Sequence, residues 1–411
     1  MDNMKGWKGG VKPAVLAIAS DIYGCGFYRV FNPIGMLKQL QLADVIMLYQ
    51  GAHPIDIFQD QRLQKADIVI GQRIYDKSWL AGIFTQRDRF GFKFLYEIDD
   101  SLDTIDQSNP AFKFFRYKNK REVLDIYHNA LRYSDAVITT TEYLAKESEQ
   151  WVNKAYVLPN GIDPSEIFYE NIPKSSYTDA IRIGWWAGSS HQDDIMVVLN
   201  VLDQMMEKYQ NVELFFWGFM PDKNIFHISQ QHGLINKSYE YFANFYKKYK
   251  SRIIFYPFVE TELFHPLLST FQFDIVIAPL KCSTFDESKS ELKLVESGFL
   301  KIPVVASPIF PYKKLIKNGI NGFIADKTID WIRYLDLLIS NPAKRREIGN
   351  NLFNDVSIEY DIRNIALRYI KTFEEIKDRK IDKTNYPKDW WEFWGIKEKQ
   401  PTKNTLAIHG N

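Results

Sequence analysis

Short apolar runs alternate with amphipathic, helix-patterned segments along nearly the whole chain, and this rhythm restricts the fold more than any other feature. In the first half the runs are Val15–Ala19, Asp67–Gly71, Phe92–Ile98, Asp135–Thr139 and Tyr156–Leu158. In the second half they are Ile181–Trp186, Val212–Trp217, Arg252–Phe255, Phe273–Leu280 and Ile302–Ala306. Between them lie helix-like stretches such as Glu142–Val152 and Ile195–Tyr209, and helical pattern resumes at Asn341–Lys377. Strand and helix alternating at this spacing predict parallel sheets covered by helices. The pattern restarts near Ile181, after a stretch rich in Gly, Pro, Ser and Asn, Asn160–Thr178, that reads as a linker. At 411 residues the chain exceeds one ordinary core. We therefore expect an α/β protein of two doubly wound, Rossmann-like domains with a ligand cleft between them.

Bulk charge narrows the function classes. A net charge of +1 gives no general attraction to polyanions, so any such binding must come from local patches. Two cysteines, Cys25 and Cys282, make no disulfide framework and suit a reducing, cytoplasmic setting. The opening MDNMKGWKGGVKPAV lacks the apolar core of a signal peptide. No apolar run approaches the ~20 residues of a membrane span, although peripheral membrane contact stays open.

Candidate site residues cluster at strand ends. After the first strand, SDIYGCGFYR carries Gly24 and Gly26, which allow a tight turn and close backbone approach, and Arg29, whose guanidinium can grip phosphate. YEIDD ends another strand, so Asp99 and Asp100 project toward the cleft. There they can accept sugar hydroxyls, help deprotonate an acceptor, or simply cap a loop. Lys113–Arg121, KFFRYKNKR, interleaves Lys113, Arg116, Lys118, Lys120 and Arg121 with aromatics. It reads either as a solvated helix face or as a contact for an anionic acceptor. IRIGWWAGSSH at Ile181–His191 sets Gly188, Ser189 and His191 where backbone N–H groups can hold phosphate.

The segment Phe285–Ser307, FDESKSELKLVESGFLKIPVVAS, reads as a charged helix running into a strand, with DIVIAPL just upstream. A strand–loop–helix–strand unit of this kind binds its ligand at the strand ends. On one continuous helix Lys289, Lys293 and Glu296 would share a face, as a diphosphate grip or as a surface ion-pair row.

Taken together, GCGFYR with Asn32-Pro33, YVLPNGIDP, IRIGWWAG, APL at Ala278–Leu280, SKSELKLVESG and IPVVASPIFPYKKLIKNGINGF resemble the retaining, nucleotide-sugar-dependent glycosyltransferases of family 4. The resemblance covers Val15 to Phe373 and is closest to a subgroup with an SKSxLKxxE pattern. It implies the GT-B fold: an acceptor-side domain over 1–165, a donor domain over 178–375, and a tail over 376–411. Through Asp389–Trp394, DWWEFW, that tail would pack back on the first domain. It also implies that Glu296 binds the nucleotide ribose and that Lys289, Lys293 and Arg29 hold the diphosphate. The first of the family's two glutamates falls on Ser288, and WWAGSSH replaces the usual arginine–lysine phosphate grip.

The expected activity is metal-independent transfer of a hexosyl or pentosyl group, with no cofactor beyond a UDP- or GDP-linked sugar. The acceptor would be a glycan or lipid-linked glycan. Two alternatives are a glycosyltransferase acting on a modified base in DNA and a non-catalytic nucleotide-sugar binder. Asp99, Asp100, Lys293 and His191 are the expected catalytic groups. Gly24, Gly26, Arg29, Gly188, Ser189, Ser288, Lys289 and Glu296 are expected on the donor.

Overall fold

The structure, a computed structural model, describes residues 12–51, 61–105, 120–152, 154–167, 179–188, 191–218, 237–379 and 390–395. Six strands of the first half are β1 (Ala14–Ala19), β2 (Asp44–Tyr49), β3 (Ile68–Gln72), β4 (Lys93–Ile98), β5 (Ala136–Thr139) and β6 (Ala155–Val157). They form one parallel sheet in the order β2-β1-β3-β4-β5-β6. The second half supplies β7 (Ile181–Trp186), β8 (Val212–Trp217), β9 (Ile253–Tyr256), β10 (Ile275–Ala278), β11 (Val304–Ala306) and β12 (Phe323–Ile324). These pair in parallel in the order β12-β11-β10-β7-β8-β9. Counted from β7, that is the 3-2-1-4-5-6 order of a dinucleotide-binding sheet, with its reversal between β7 and β10.

Both sheets are buried on two faces, which is why their strands read as continuous apolar runs. In β1, Leu16 and Ile18 pack with Leu80 and Phe84 of helix Lys77–Phe90. The alternate residues Val15, Ala17 and Ala19 pack with Ile34 and Leu37 of helix Asn32–Gln39. In β7, Ile183 and Trp185 face the core made by Leu199, Leu202 and Leu335, while Trp186 faces Leu294 and Phe299. Two strands, β2 and β12, escape the sequence reading. β2 lies at a sheet edge with Asp44 and Ile46 exposed, and β12 is only two residues long.

The helical stretch Asn341–Lys377 is two helices, Pro342–Val356 and Ile362–Lys377. The first packs on helix Leu292–Phe299 of the second domain. The second returns to the first domain, where Ile362, Ile365, Tyr369, Phe373 and Ile376 join the core around Val15 and Ile34. The chain thus recrosses at 357–361, earlier than the boundary near 375 expected from sequence. The two crossings touch: Ile162 N–H donates to Tyr360 O at 2.9 Å, and Ile362 N–H donates to Ile162 O at 2.9 Å. Gly161 is required there, because a Cβ would stand 2.7 Å from Ile362 Cδ1. From the tail, helix Trp390–Trp394 sets Trp394 against Phe84 and Tyr133, with ring centroids 5.2 and 5.8 Å away. Among the described residues no helix is long and apolar enough to cross a membrane.

Candidate active site

A cavity of about 470 Å³ opens between the carboxyl ends of the two sheets. The second domain contributes Trp186, Ala187 and Gly188 after β7, and Pro279 and Leu280 after β10. These strands flank the reversal in strand order, where open α/β sheets leave a crevice for ligands. The first domain contributes Asp21, Gly24 and Cys25 after β1, and Asp99 and Asp100 after β4.

Gly26 makes the turn after β1 possible. Its N–H donates to Asp21 Oδ1 at 3.0 Å, and a Cβ there would stand 1.8 Å from the Asp21 carbonyl oxygen. Gly24 lines the cavity with open space around its Cα. Arg29 departs from the sequence reading. Its side chain is buried and pairs with Glu97 at 2.5 Å, and it donates to Leu158 O at 2.7 Å and Asn160 Oδ1 at 3.0 Å. Glu97, on β4, makes this guanidinium a clasp between strand, linker and helix, and Arg29 also borders the cavity. Only Nη2 lacks a hydrogen-bond partner among the described residues.

The Phe285–Ser307 segment also differs. A short 3-10 turn, Asp286–Ser288, precedes the α-helix, which starts only at Leu292. Lys289 therefore sits in extended backbone before the helix and not on a face shared with Lys293 and Glu296. Ser288, Lys289 and Ser290 each dock on the first domain. Ser101 N–H donates to Ser288 Oγ at 3.3 Å, Lys289 Nζ pairs with Asp100 at 2.8 Å, and Asn160 Nδ2 donates to Ser290 Oγ at 3.1 Å. Ser288 is fully buried and outside the cavity lining, its hydroxyl donating to Phe285 O at 2.7 Å. Its expected donor contact is replaced by a domain contact.

Lys293 and Glu296 do line the cavity together. Lys293 Nζ donates to the Trp186 carbonyl oxygen and lies 5.2 Å from the Trp186 ring centroid. Glu296 is nearly inaccessible and accepts from Tyr28 Oη at 2.5 Å and from Trp186 Nε1 at 2.6 Å. Its carboxylate retains lone pairs for further donors.

On the first-domain side Asp99 pairs with Arg73 at 3.3 Å. Its carboxyl is held below the usual range: burial opposes the charge, and Arg73, Cys25, Arg29 and Lys289 together outweigh it. Lys289 stays cationic in the same way, burial being outweighed by Asp100 with Asp99 and Cys25. His191 Nδ1 lies 2.7 Å from Asp194 Oδ2 at the start of helix Gln192–Met196, and it borders the cavity beside Gly188. Ser189, Lys113, Arg116 and Lys118 lie outside the described residues. Lys120 and Arg121 open helix Lys120–Tyr133, with side chains outside the description. Sequence reading missed Tyr28, Trp217, Phe258 and Tyr312, which complete the lining and whose only signal was a high aromatic content.

No protein-family model matches the chain, and no curated protein matches it in sequence. Solved structures do match. A glycosyltransferase from Rickettsia africae is 14% identical with a TM-score of 0.62, covering 90% of this chain and 100% of its own. Sucrose-phosphate synthase from Thermosynechococcus elongatus gives 14% and 0.62, covering 89% and 99%. Anabaena HepE in complex with UDP-glucose gives 14% and 0.61, covering 88% and 100%. The fold is GT-B.

In this GT-B cleft Lys293 has the feature most open to test. Burial pulls its ammonium down to about 8, more than Glu296 and Asp194 hold it up. The charge is present below that value and lost above it. The charged fraction drops about fivefold between pH 8 and pH 9, so affinity for an anionic ligand held by Lys293 should fall by about that factor, read by calorimetry. Stability should move the other way. Between about 8 and the ordinary 10.5 the unfolded chain binds the proton and the native chain does not, so this group's contribution rises with pH. Lys293→Met should abolish both trends.

Proposed function

We propose that this chain is a retaining glycosyltransferase that moves a sugar from a UDP- or GDP-linked donor to a glycan or lipid-linked glycan acceptor. The observation that carries the reading is that Lys293 and Glu296 both contact Trp186 and line the cavity, at the strand-order reversal of the second sheet of a GT-B fold. Lys293 would meet the diphosphate and Glu296 the ribose hydroxyls. The solved structures of HepE with UDP-glucose and of an E. coli protein bound with UDP-2-fluoro glucose, of TM-score 0.59 and 11% identity, agree with a nucleotide sugar in such a cleft.

Chemistry would begin as the bond from the sugar's anomeric carbon to the diphosphate oxygen lengthens. Negative charge builds on the diphosphate, and a fixed cation in a dry site stabilises that charge more than it stabilises the intact donor. The acceptor oxygen then bonds to the anomeric carbon on the face the diphosphate leaves, its proton passing to the departing diphosphate oxygen, so the anomeric configuration is kept. Asp99, Asp100 and His191 border the space left for the acceptor. The Thr140 hydroxyl, buried without a hydrogen-bond partner among the described residues, also lines it. Among these residues no group of three His, Cys, Asp or Glu side chains could hold a metal ion, and the proposed reaction uses none.

The test is a melting screen with UDP- and GDP-linked hexoses and pentoses. A true donor at 100 times its dissociation constant adds about 2.7 kcal/mol of stability. Product formed from that donor should keep its anomeric configuration by NMR and form at full rate in excess chelator. Inversion, an absolute metal requirement, or binding with no transfer to any glycan would each defeat part of the reading. Transfer to duplex DNA alone would move the acceptor to a nucleic-acid base.

A further inference from the structure

A buried hydrogen-bonded chain runs behind Glu296, and three segments far apart in sequence build it. Glu166 belongs to the short turn Pro164–Glu166, where the chain leaves the first domain. Its Oε2 lies 2.9 Å from His265 Nδ1. His265 Nε2 lies 2.8 Å from Tyr28 Oη, and Tyr28 donates to Glu296 Oε1 at 2.5 Å. Tyr28 comes from the first domain, and His265 from helix Thr261–Thr270 of the second. His265 is 0% exposed, and of its partners only the Glu166 carboxylate, at 29%, reaches solvent among the described residues.

Proton counting fixes the state of this chain. Tyr28 has one hydroxyl proton and gives it to Glu296. Its oxygen can then only accept from His265 Nε2, which must carry a proton. His265 Nδ1 faces a carboxylate, so it must carry one as well. His265 is an imidazolium between two carboxylates, Glu166 and Glu296, with Tyr28 relaying the contact to the second. Burial works against that charge, yet the hydrogen bonds to Glu166 and Glu296 hold its pKa up to about 9.

We propose that His265 is a positioning residue: anchored by Glu166, it fixes the Tyr28 hydroxyl on Glu296 and so presets that carboxylate for the vicinal diol of a nucleoside. The inference rests on the donor reading above and adds a dependence that the reading lacks. With Trp186 Nε1 on the other oxygen, both Glu296 oxygens are held from behind, leaving the remaining lone pairs for two hydroxyls. A carboxylate that is already oriented loses less freedom on binding. Because Tyr28 belongs to the first domain, the diol site is complete only while both domains and the linker are in register.

Tyr28→Phe keeps the ring against Phe27 and His265 and removes one hydroxyl. It should weaken UDP binding about tenfold by calorimetry, and it should also lower the melting temperature, because His265 and Glu296 each lose a buried hydrogen-bond partner. Against 2′,3′-dideoxy-UDP the penalty should vanish, because that probe offers Glu296 no diol. His265→Gln should resemble Tyr28→Phe. In the free wild-type protein, nitrogen NMR should show both His265 ring nitrogens protonated at pH 7. GDP and its dideoxy analogue replace the probes if GDP is the nucleotide that binds. Should neither nucleotide bind the wild type, the donor reading falls and this inference falls with it. If nucleotide binds but Tyr28→Phe matches the wild type, loses equally against the dideoxy probe, or His265 is neutral at pH 7, the inference alone is overturned.

Discussion

Lys293→Ala should lower turnover about 100- to 1,000-fold while the protein keeps its fold. The magnitude is that of one preorganised electrostatic contact to charge developing in a transition state, about 3–4 kcal/mol. Lys293 suits that role because it is already held: its ammonium donates to the Trp186 carbonyl oxygen and lies over the Trp186 ring. Nothing has to be reorganised when charge arrives on the departing diphosphate. Folding should not suffer, because a buried ammonium shifted down to about 8 costs stability rather than adding it. The check is single-turnover kinetics beside a melting curve. Turnover within threefold of wild type would place the diphosphate elsewhere in the cleft.

Arg29→Ala should instead destabilise the protein by about 3–5 kcal/mol, read by urea unfolding. Removing one member of a buried ion pair leaves the other charged or forces it to protonate without a partner. Here the remaining Glu97 is 0% exposed, and Leu158 O and Asn160 Oδ1 lose their donor as well. The contrast with Lys293 separates two arginine and lysine roles that look alike from sequence. A stable Arg29→Ala protein with weakened donor binding would restore the phosphate-grip reading.

The βα rhythm was legible because both sheets are buried on two faces, so nearly every strand is an unbroken apolar run. Ile181–Trp186 and Val212–Trp217 match their strands to the residue. The edge strand β2 was not legible, since partial exposure dilutes its pattern. Local turn chemistry was legible: Gly26 sits at a turn that leaves no room for a Cβ, and Asp99 and Asp100 follow a strand end and line the cavity. Side-chain partners were not legible where a distant residue supplies them. Arg29 is claimed by Glu97, and Lys289 by Asp100, across spans that no local pattern encodes. His265 lies in no motif, and Tyr28, though inside GCGFYR, has no role that the motif reveals, because their meaning lies in a chain of contacts joining residues 28, 166, 265 and 296.

The paired crossings at Ile162 and Tyr360–Ile362 bear on how such a protein can be rearranged by recombination. The first domain is discontinuous, since its core is finished by a helix that arrives only after the second domain has been traversed. The second domain cannot be traded by joining a new end to an old beginning. It must be exchanged as a cassette with two seams, both beside the same hydrogen-bonded contact. Cutting at a single seam would strip Ile362, Tyr369 and Phe373 from their pocket and leave an apolar face in water. Chimeras with seams near residues 165 and 358 should stay soluble and acquire the donor choice of the inserted half, whereas single-seam chimeras should aggregate.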